Sequence, residues 1–205
     1  MFRIRKSEVD KVNQDQILEI LKETNVLQTG HFSLTSGKHS AEYMQCAQVL
    51  QYPDQASKLC NEFAEFIKEN NISVDLVVGP ATGGIILAFE TARLLGTKTM
   101  FAERENGKMV FRRGFFVEPG QKVFIVEDVI TTGGSVKEVI EIVQEQGGIV
   151  VGVGVLVNRS PEPVDYGVPL KSLLKIQIET YNPETCPLCA KGVEMKKPGS
   201  RGLKK

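Results

Sequence analysis

The sequence predicts an α/β domain built on a mostly parallel central sheet flanked by helices. Two strand–loop–helix units indicate this class: one opens with VDLVVGPATGGI at residues 74–85, the other with VFIVEDVITTGGS at residues 123–135. A further apolar strand, IVVGVGVLV, follows at residues 149–157. Apolar strands that alternate with amphipathic helices are typical of parallel sheets covered on both faces.

The chain before the first unit predicts two helices and a short β region. Apolar residues at helical spacing indicate a helix from Asp15 to Leu27, which Gly30 ends. HFSLTSGKHSAEYMQC at residues 31–46 predicts two short strands, or a strand and a loop. Pro53 can open a second helix, whose apolar residues keep to one face up to Asn70.

The helix of the first unit is predicted to run to about Leu95, and two polar segments follow later in the chain. ERENGKMVFRRG at residues 103–114 is rich in charge and poor in core-forming side chains. It predicts a long hairpin or a mobile loop. The tail, residues 196–205, is basic and poor in apolar residues, so we expect it to be weakly ordered.

Length and composition favour one soluble globular domain over residues 1–205. The sequence is 41% hydrophobic, and its 25 Lys and Arg balance 25 Asp and Glu. This balance gives no reason to expect nucleic acid or an anionic membrane as a partner. The charged N-terminus lacks a signal-peptide segment, and no apolar run approaches the roughly 20 residues that span a bilayer. We therefore expect a cytoplasmic protein.

The segment VFIVEDVITTGGS predicts a phosphate site. In open α/β sheets, ligands collect at the carboxyl ends of strands, where helix N-termini offer backbone N–H groups to anions. Three hydroxyls and two sterically open glycine amides can wrap a monoester phosphate here. They belong to Thr131, Thr132, Ser135, Gly133 and Gly134.

Two acids, Glu127 and Asp128, precede this loop at the predicted end of the strand. Carboxylates accept hydrogen bonds from hydroxyls and stabilise nearby positive charge, so a sugar next to the phosphate is the natural occupant. A ribose 5-phosphate satisfies both halves of the motif. An ordinary turn after a strand would explain the two glycines but not the two adjacent acids.

Other nucleotide-binding motifs are not supported. GVGV at residues 152–155 lies inside a predicted strand and lacks the third glycine of a dinucleotide fingerprint. The sequence contains no Gly-Lys-Ser/Thr loop. Hydride transfer and ATP hydrolysis are therefore poorly supported.

VFIVEDVITTGGS resembles the signature of type I phosphoribosyltransferases, which bind phosphoribosyl pyrophosphate. Within that group, three further segments resemble the orotate phosphoribosyltransferases. They are GHFSLTSGKHSAEYMQ, FAERENGKMVFRRGF and the NRS of residues 158–160. The similarity covers roughly residues 15 to 195. It implies a single domain with a core at about 70–160, a small hood formed by about 15–50 and 161–195, and a tail at 196–205.

The resemblance implies a pentosyltransferase of pyrimidine (UMP) biosynthesis. Orotate and phosphoribosyl pyrophosphate would give orotidine 5′-monophosphate and pyrophosphate, with Mg²⁺ bound to the pyrophosphate. It also implies a homodimer in which a mobile loop closes over the neighbouring subunit's site.

The same resemblance assigns roles to individual residues. Lys108, Arg104 and Asp128 are the candidate catalytic residues, with Arg112 and Arg113 as further cations on the loop. The implied phosphoribosyl pyrophosphate site consists of Glu127, Asp128, Val129, Ile130, Thr131, Thr132, Gly133, Gly134, Ser135, Arg104 and Lys108. The implied orotate pocket consists of Thr131, Arg159, Tyr43 and Met44. Arg159 suits a carboxylate because its guanidinium can bind one in a bidentate manner, whereas Tyr43 and Met44 taken alone would more often be core residues.

The sequence departs from some family members at cationic positions. Thr35 stands where some relatives have Lys, and Ala81–Gly84 replaces a loop in which others carry Tyr-Lys. Backbone amides of that loop can still bind pyrophosphate. The histidine of some relatives' mobile loop is absent, because His31 and His39 are the only histidines.

The four cysteines do not predict a disulfide scaffold in the expected compartment. Cys186 and Cys189 form a Cys-x-x-Cys pair that could be half of a zinc site, but no second Cys or His pair follows it. Ligands shared between subunits of a dimer are one solution. A plain structural pair is the favoured interpretation, because a closed zinc site needs four ligands.

Two alternative functions stay open at this level. The first is a phosphoribosyltransferase for another base, which Arg159 and the Tyr43–Met44 pair argue against. The second is a non-catalytic regulator that senses phosphoribosyl pyrophosphate and binds nucleic acid, which the balanced charge argues against.

Overall fold

The computed structural model describes residues 12–34 and 36–198. The part of the chain outside this description consists of residues 1–11, Thr35 and residues 199–205. Weak order was predicted for the tail at residues 196–205, and most of that tail therefore lies outside the described residues. The helices are α1 Gln14–Glu23, α2 Pro53–Glu69, α3 Gly83–Leu95, α4 Gly134–Glu145 and α5 Pro187–Ala190, with 3₁₀ turns at Cys46–Gln51 and Pro183–Thr185. The strands are β1 Leu27–Ser33, β2 His39–Met44, β3 Leu76–Pro80, β4 Lys98–Glu105, β5 Lys108–Val110, β6 Lys122–Ile130, β7 Ile149–Asn158, β8 Leu170–Lys175 and β9 Met195–Lys196.

The central sheet has six strands in the order β5-β4-β3-β6-β7-β8. Every neighbouring pair from β4 to β8 is parallel, and only the edge strand β5 runs antiparallel to its neighbour β4. The predicted class, a mostly parallel sheet flanked by helices, is therefore confirmed. Residues 103–110 form a hairpin of β4 and β5 that turns at Asn106–Gly107, both of which have positive φ.

Two apolar cores lie on opposite faces of this sheet. On β6, Phe124 and Val126 belong to the core formed with α2 and α3, while Val123 and Ile125 belong to the core formed with α4. Side chains alternate between the faces of a strand, and a strand covered on both faces is apolar throughout. This explains why the sequence before Glu127 shows an unbroken apolar run.

The glycines of β7 serve packing. A Cβ at Gly152 would meet the ring of Phe124, and one at Gly154 would meet the ring of Phe63. The glycines of GVGV thus let aromatic side chains pack against the backbone of a buried strand. This packing role agrees with the prediction that GVGV is not a dinucleotide-binding motif.

A second, three-stranded sheet joins the two ends of the described chain in the order β2-β1-β9. β1 pairs antiparallel with β2, and β9 adds to β1 in parallel, with His31 opposite Met195. β8 lies in the range 161–195 that was predicted for the hood, yet it pairs with β7 in the central sheet. The central sheet therefore extends beyond residues 70–160.

Two predicted element ends are wrong. The first helix ends at Glu23, because Asn25 takes a positive φ and the chain turns into β1, which contains both Leu27 and Gly30. The strand predicted to end at the acidic pair continues to Ile130, since its pairing with β7 extends to Ile130 opposite Asn158. Among the described residues, no helix combines the length and apolar character needed to cross a bilayer.

Candidate functional site

The predicted phosphate and ribose residues, 127–135, lie where the order of the central sheet reverses. The chain passes from β3 through α3 to β4 on one side, and then returns to place β6 on the other side of β3. The loops that follow β3 and β6 therefore leave neighbouring parallel strands at the same edge. Such a reversal opens a crevice at the carboxyl ends of the strands, where ligands of open α/β sheets bind.

The loop after β6 delivers the N-terminus of α4 to this crevice. Gly133 is the N-cap residue and has φ 76°, a left-handed conformation that glycine adopts without steric cost. No side chain caps the helix, so its first N–H groups face the loop without a side-chain acceptor. Thr131 and Thr132 are exposed beside them. Hydroxyls and helix N–H groups together suit a phosphate, as the sequence predicts.

Tyr166 supports this loop from behind, and sequence reasoning missed it. A Cβ at Gly133 would collide with the Tyr166 hydroxyl, and that hydroxyl lies 3.5 Å from the Gly133 carbonyl oxygen as a long hydrogen-bond donor. A residue larger than glycine would therefore displace the loop. No local signal marks Tyr166, because it reaches the loop only through the fold.

The acidic pair lies inside the last part of β6. Glu127 is only 7% exposed, and its Oε1 accepts a hydrogen bond of 3.1 Å from the backbone N–H of Asp128. Burial, followed by repulsion from Asp128, raises the pKa of Glu127 to about 9. Burial also raises the pKa of Asp128. A carboxyl that is costly to ionise in the free protein becomes easier to ionise when a ligand brings hydroxyl donors or positive charge to it.

Gly83 lets the loop after β3 approach Asp128 closely. A Cβ at Gly83 would overlap the Asp128 carboxylate, so a larger residue at this position would displace that carboxylate. The same loop contains the cis peptide Ala81–Thr82, and the Ala81 N–H donates to the Ala102 carbonyl at 2.7 Å. The backbone of residues 81–84, rather than a side-chain cation, therefore faces the acidic residue.

Arg159 follows β7 at the same edge of the sheet. Its backbone N–H donates to the Ile130 carbonyl at 2.8 Å, which anchors it next to the end of β6. The neighbouring Asn158 Oδ1 accepts from both the backbone N–H and the hydroxyl of Ser160, which fixes the turn. The Arg159 Nε is buried and has no hydrogen-bond partner within the described chain. A buried guanidinium N–H without an acceptor is costly, so this atom is suited to an anionic ligand.

Cys46 connects the predicted base pocket to this region. Burial raises the pKa of Cys46 to about 12, with a further contribution from Asp128 and an opposing one from Arg159. Its thiol therefore lies near both groups. Met44 precedes it and is buried in the core that also contains Val126 and Val157. Tyr43 is half-buried, and its ring lies 5.5 Å from that of Phe32.

The hairpin cations are not equivalent. Arg104 binds Glu138 of α4 through two hydrogen bonds of 2.7 and 2.8 Å and also donates to the Gly107 carbonyl. Arg112 and Arg113 pair with glutamates of the same hairpin. Lys108 is exposed at the start of β5 and takes part in none of these ion pairs within the described part of the chain. Lys108 is therefore the cation that is most readily available to a ligand.

The fold and the site are those of a phosphoribosyl transferase domain, and that family matches residues 48–186. A relative from Caldicellulosiruptor bescii named orotate phosphoribosyltransferase is 54% identical over 190 residues, which cover 93% of this chain and 99% of the relative. The chain therefore belongs to the orotate phosphoribosyltransferase family.

Solved structures agree with this assignment at the level of the fold. The crystal structure of orotate phosphoribosyltransferase from Aeropyrum pernix matches with a TM-score of 0.64 and 26% identity over 78% of this chain and 93% of that one. An adenine phosphoribosyltransferase from Rhodothermus marinus matches with a TM-score of 0.61 and 23% identity over 79% of this chain and 99% of that one. Since the adenine enzyme has the same fold, the choice of base depends on individual residues.

Proposed function

We propose that the protein transfers the 5-phosphoribosyl group of phosphoribosyl pyrophosphate to orotate, giving orotidine 5′-monophosphate and pyrophosphate in pyrimidine synthesis. The family assignment and the name of the 54% identical relative support this reaction. The loop at residues 131–135 suits the 5′-phosphate, and the acidic pair suits the ribose.

The observation that supports orotate as the base is the buried Nε of Arg159, which has no acceptor within the described chain. A rotation of the Arg159 side chain would bring the guanidinium to the carboxylate of orotate, which would supply that acceptor and could bind in a bidentate manner. Neutral bases such as adenine or uracil carry no such group. The half-buried Tyr43 ring and the Thr131 hydroxyl remain our candidates for the rest of the pocket, whereas Met44 would act from the core behind it.

The residues support a displacement at the anomeric carbon of the ribose. A ring nitrogen of orotate forms the new bond to this carbon while the bond to the pyrophosphate oxygen breaks, and the electron pair leaves with pyrophosphate. Positive charge develops on the ribose, next to the Glu127 and Asp128 carboxyls, which can stabilise it. Lys108 and Arg104 would offset the negative charge that accumulates on the leaving group.

Mg²⁺ is the proposed cofactor. It prefers oxygen ligands and is usually bound by one or two carboxylates together with substrate phosphates. The Asp128 carboxylate and the exposed hydroxyls of Thr131 and Thr132 provide oxygen donors at the crevice, so the residues fit such an ion. When bound, Mg²⁺ would neutralise part of the pyrophosphate charge.

We also propose a homodimer with loop exchange. Two large apolar side chains on α3, Ile86 and Phe89, are 46% and 60% exposed and lie three residues apart on one helix face. An exposed apolar pair of this kind suits a subunit interface. A cytoplasmic location is proposed as well, since none of the four cysteines, all of which lie within the described residues, forms a disulfide.

Steady-state kinetics with a panel of bases test this function. Wild-type protein should release pyrophosphate with orotate and not with adenine, hypoxanthine or uracil. Arg159→Ala should raise the Michaelis constant for orotate by about 100-fold, because a charge-assisted bidentate contact of about 3 kcal/mol is lost, and should leave that for phosphoribosyl pyrophosphate nearly unchanged. Arg159→Lys serves as the matched control, because it keeps the positive charge but lacks the planar guanidinium that binds a carboxylate in a bidentate manner.

Two results would contradict the proposal. Turnover of a purine base without turnover of orotate would identify the alternative transferase. A rise in the Michaelis constant for phosphoribosyl pyrophosphate alone would move Arg159 out of the base pocket.

A further inference from the structure

Four metal-ligating side chains meet beside the small three-stranded sheet. They are His31 on β1, His39 on β2, and Cys186 and Cys189 at the start and within the turn of α5. One ligand atom from each lies within 4.8 Å of all the others. His31, His39 and Cys186 are buried, and Cys189 is exposed. The two histidines supply the second pair of ligands that the sequence after Cys189 lacks.

The distances between these atoms match the edges of a metal-centred tetrahedron. His31 Nε2 and His39 Nδ1 are 3.0 Å apart, both sulfurs lie 3.7 Å from His31 Nε2, and the Cys189 Sγ lies 3.3 Å from His39 Nδ1. Zn–N bonds of 2.0–2.1 Å and Zn–S bonds of 2.3 Å in a tetrahedron separate two nitrogens by about 3.3 Å and a nitrogen and a sulfur by about 3.6 Å. These four separations are therefore within about 0.4 Å of the tetrahedral values, and the remaining ligand atoms lie within 4.8 Å of one another.

The ring of His31 is held in the orientation that a metal requires. Its Nδ1 lies 2.8 Å from the Val193 carbonyl oxygen. A carbonyl can only accept, so Nδ1 carries the proton and Nε2 presents its lone pair to the cluster. Metal-bound histidines commonly donate their second N–H to a backbone carbonyl in this way.

Simple packing and a disulfide explain less of this geometry. A hydrogen bond from His39 Nδ1 to His31 Nε2 would account for one contact. It would not account for two thiols next to His31 Nε2, one of which also lies next to His39 Nδ1, on a segment about 150 residues away. A disulfide between Cys186 and Cys189 would leave both buried rings facing sulfurs that no longer accept or ligate well. A closed set of two thiolates and two imidazoles is a preferred environment for zinc.

We propose that His31, His39, Cys186 and Cys189 bind one structural Zn²⁺ per chain. All four positions of the tetrahedron are taken by protein, so the ion has no open site for substrate. It would fasten the C-terminal segment to both strands of the β1–β2 hairpin. The two histidines flank the turn that carries Lys38, so the ion would also fix the base of that turn.

Metal analysis of the full-length protein tests the site. The protein should be purified without chelators and with any histidine tag removed, and its zinc and iron should be measured by mass spectrometry. We expect about one zinc per wild-type chain. Cys189→Ser removes one ligand at an exposed position, where the substitution is tolerated. It should weaken zinc affinity by more than about 100-fold, which is more than the loss of a residue that only hydrogen-bonds to a ligand would cause.

Cys60→Ser is the matched control. Cys60 is fully buried in the core, with its Sγ 3.7 Å from the Leu87 carbonyl oxygen, and lies outside the cluster. This variant should retain zinc. In addition, Co²⁺ added to the metal-free protein should produce the visible absorption of tetrahedral thiolate-bound cobalt, and this absorption should be absent from a Cys186→Ser, Cys189→Ser double variant.

Several outcomes would overturn the proposal. These are wild-type protein without zinc that gives no cobalt absorption, retention of zinc by the double variant, iron in place of zinc, or a Cys186–Cys189 disulfide in alkylated wild-type protein. Circular dichroism of each variant separates loss of the site from loss of the fold.

Discussion

Glu127 and Asp128 are adjacent carboxyl groups that the fold holds away from bulk water. Burial raises the pKa of both, and that of Glu127 reaches about 9. Near neutral pH the ionisation of Glu127 is therefore unfavourable in the free protein, and hydroxyl donors or positive charge brought next to it would make its ionisation more favourable. Burial of these two acids therefore lowers the stability of the protein, and such a cost is common at active sites.

The stability of a Glu127→Gln variant tests this cost. Between about pH 4.5 and 9 the folded protein holds a proton that the unfolded chain has lost, so stability falls as pH rises through this window. The glutamine side chain of the variant cannot ionise and should escape this loss. We expect the variant to be more stable than wild type by about 1–3 kcal/mol at pH 8 and nearly equal at pH 4.5, measured by urea unfolding.

Glu138→Gln is the control of opposite sign. Its hydrogen bonds to Arg104 lower the pKa of this exposed carboxyl, so the substitution should destabilise the protein near neutral pH. The loss should be below about 1 kcal/mol because solvent screens exposed pairs. A Glu127→Gln variant that is less stable than wild type at pH 8 would contradict the burial argument.

The hairpin of β4 and β5 is the element on which charge and function are most closely linked. Arg104 is held by Glu138 on the first turns of α4, so the hairpin rests against the helix that begins at the phosphate loop. Lys108 stays exposed near the turn. Lys108 can move towards a ligand without breaking an ion pair, whereas Arg104 must first leave its ion pair with Glu138.

Lys108→Ala should therefore lower turnover by about 100-fold or more while changing the Michaelis constants little, because the cation is needed most when charge develops on pyrophosphate. Lys98→Ala is the matched control, since Lys98 is an exposed lysine at the opposite end of β4. Steady-state kinetics with both substrates measure the effect. Unchanged turnover would remove Lys108 from the catalytic residues.

Local sequence predicted the type of most elements but not all of their ends. The apolar runs predicted β3, β6 and β7 because these strands are buried on both faces. The end of β6 was missed, since polar residues within a strand resemble a strand end unless pairing with a neighbour is known. Similarly, the spacing of Leu27 fits a helix, but the backbone at Asn25 turns the chain into β1.

At the scale of the whole molecule, the site is assembled from segments far apart in sequence. The motif at residues 123–135 allowed a prediction of the phosphate and ribose residues because these residues are contiguous, and their binding role stays a prediction. Tyr166 behind Gly133 could not be predicted, and neither could the meeting of His31 and His39 with the cysteines. These contacts depend on the order of strands in the two sheets, which no local pattern specifies.

A mixed dimer tests whether one subunit's hairpin completes the other's site. Chains with Lys108→Ala and chains with Arg159→Ala should be coexpressed with different affinity tags and assayed at low orotate, where each variant alone is nearly inactive. If the hairpin acts across a twofold interface, each mixed dimer contains one intact site. A random mixture should then regain about one quarter of wild-type activity.

The wild-type protein and each variant expressed alone provide the reference activities. Activity equal to the mean of the two variants would show that the hairpin acts within its own chain. Sedimentation velocity on the same samples would establish whether dimers are present.

The pairing of β9 with β1 has a consequence for how the chain folds during synthesis. All six strands of the central sheet are translated by residue 175, so that sheet can form before the last segment has left the ribosome. The small sheet must wait for residues 195 and 196, because its third strand comes from there. A message truncated near residue 180 would thus encode a folded core whose N-terminal hairpin lacks its third strand.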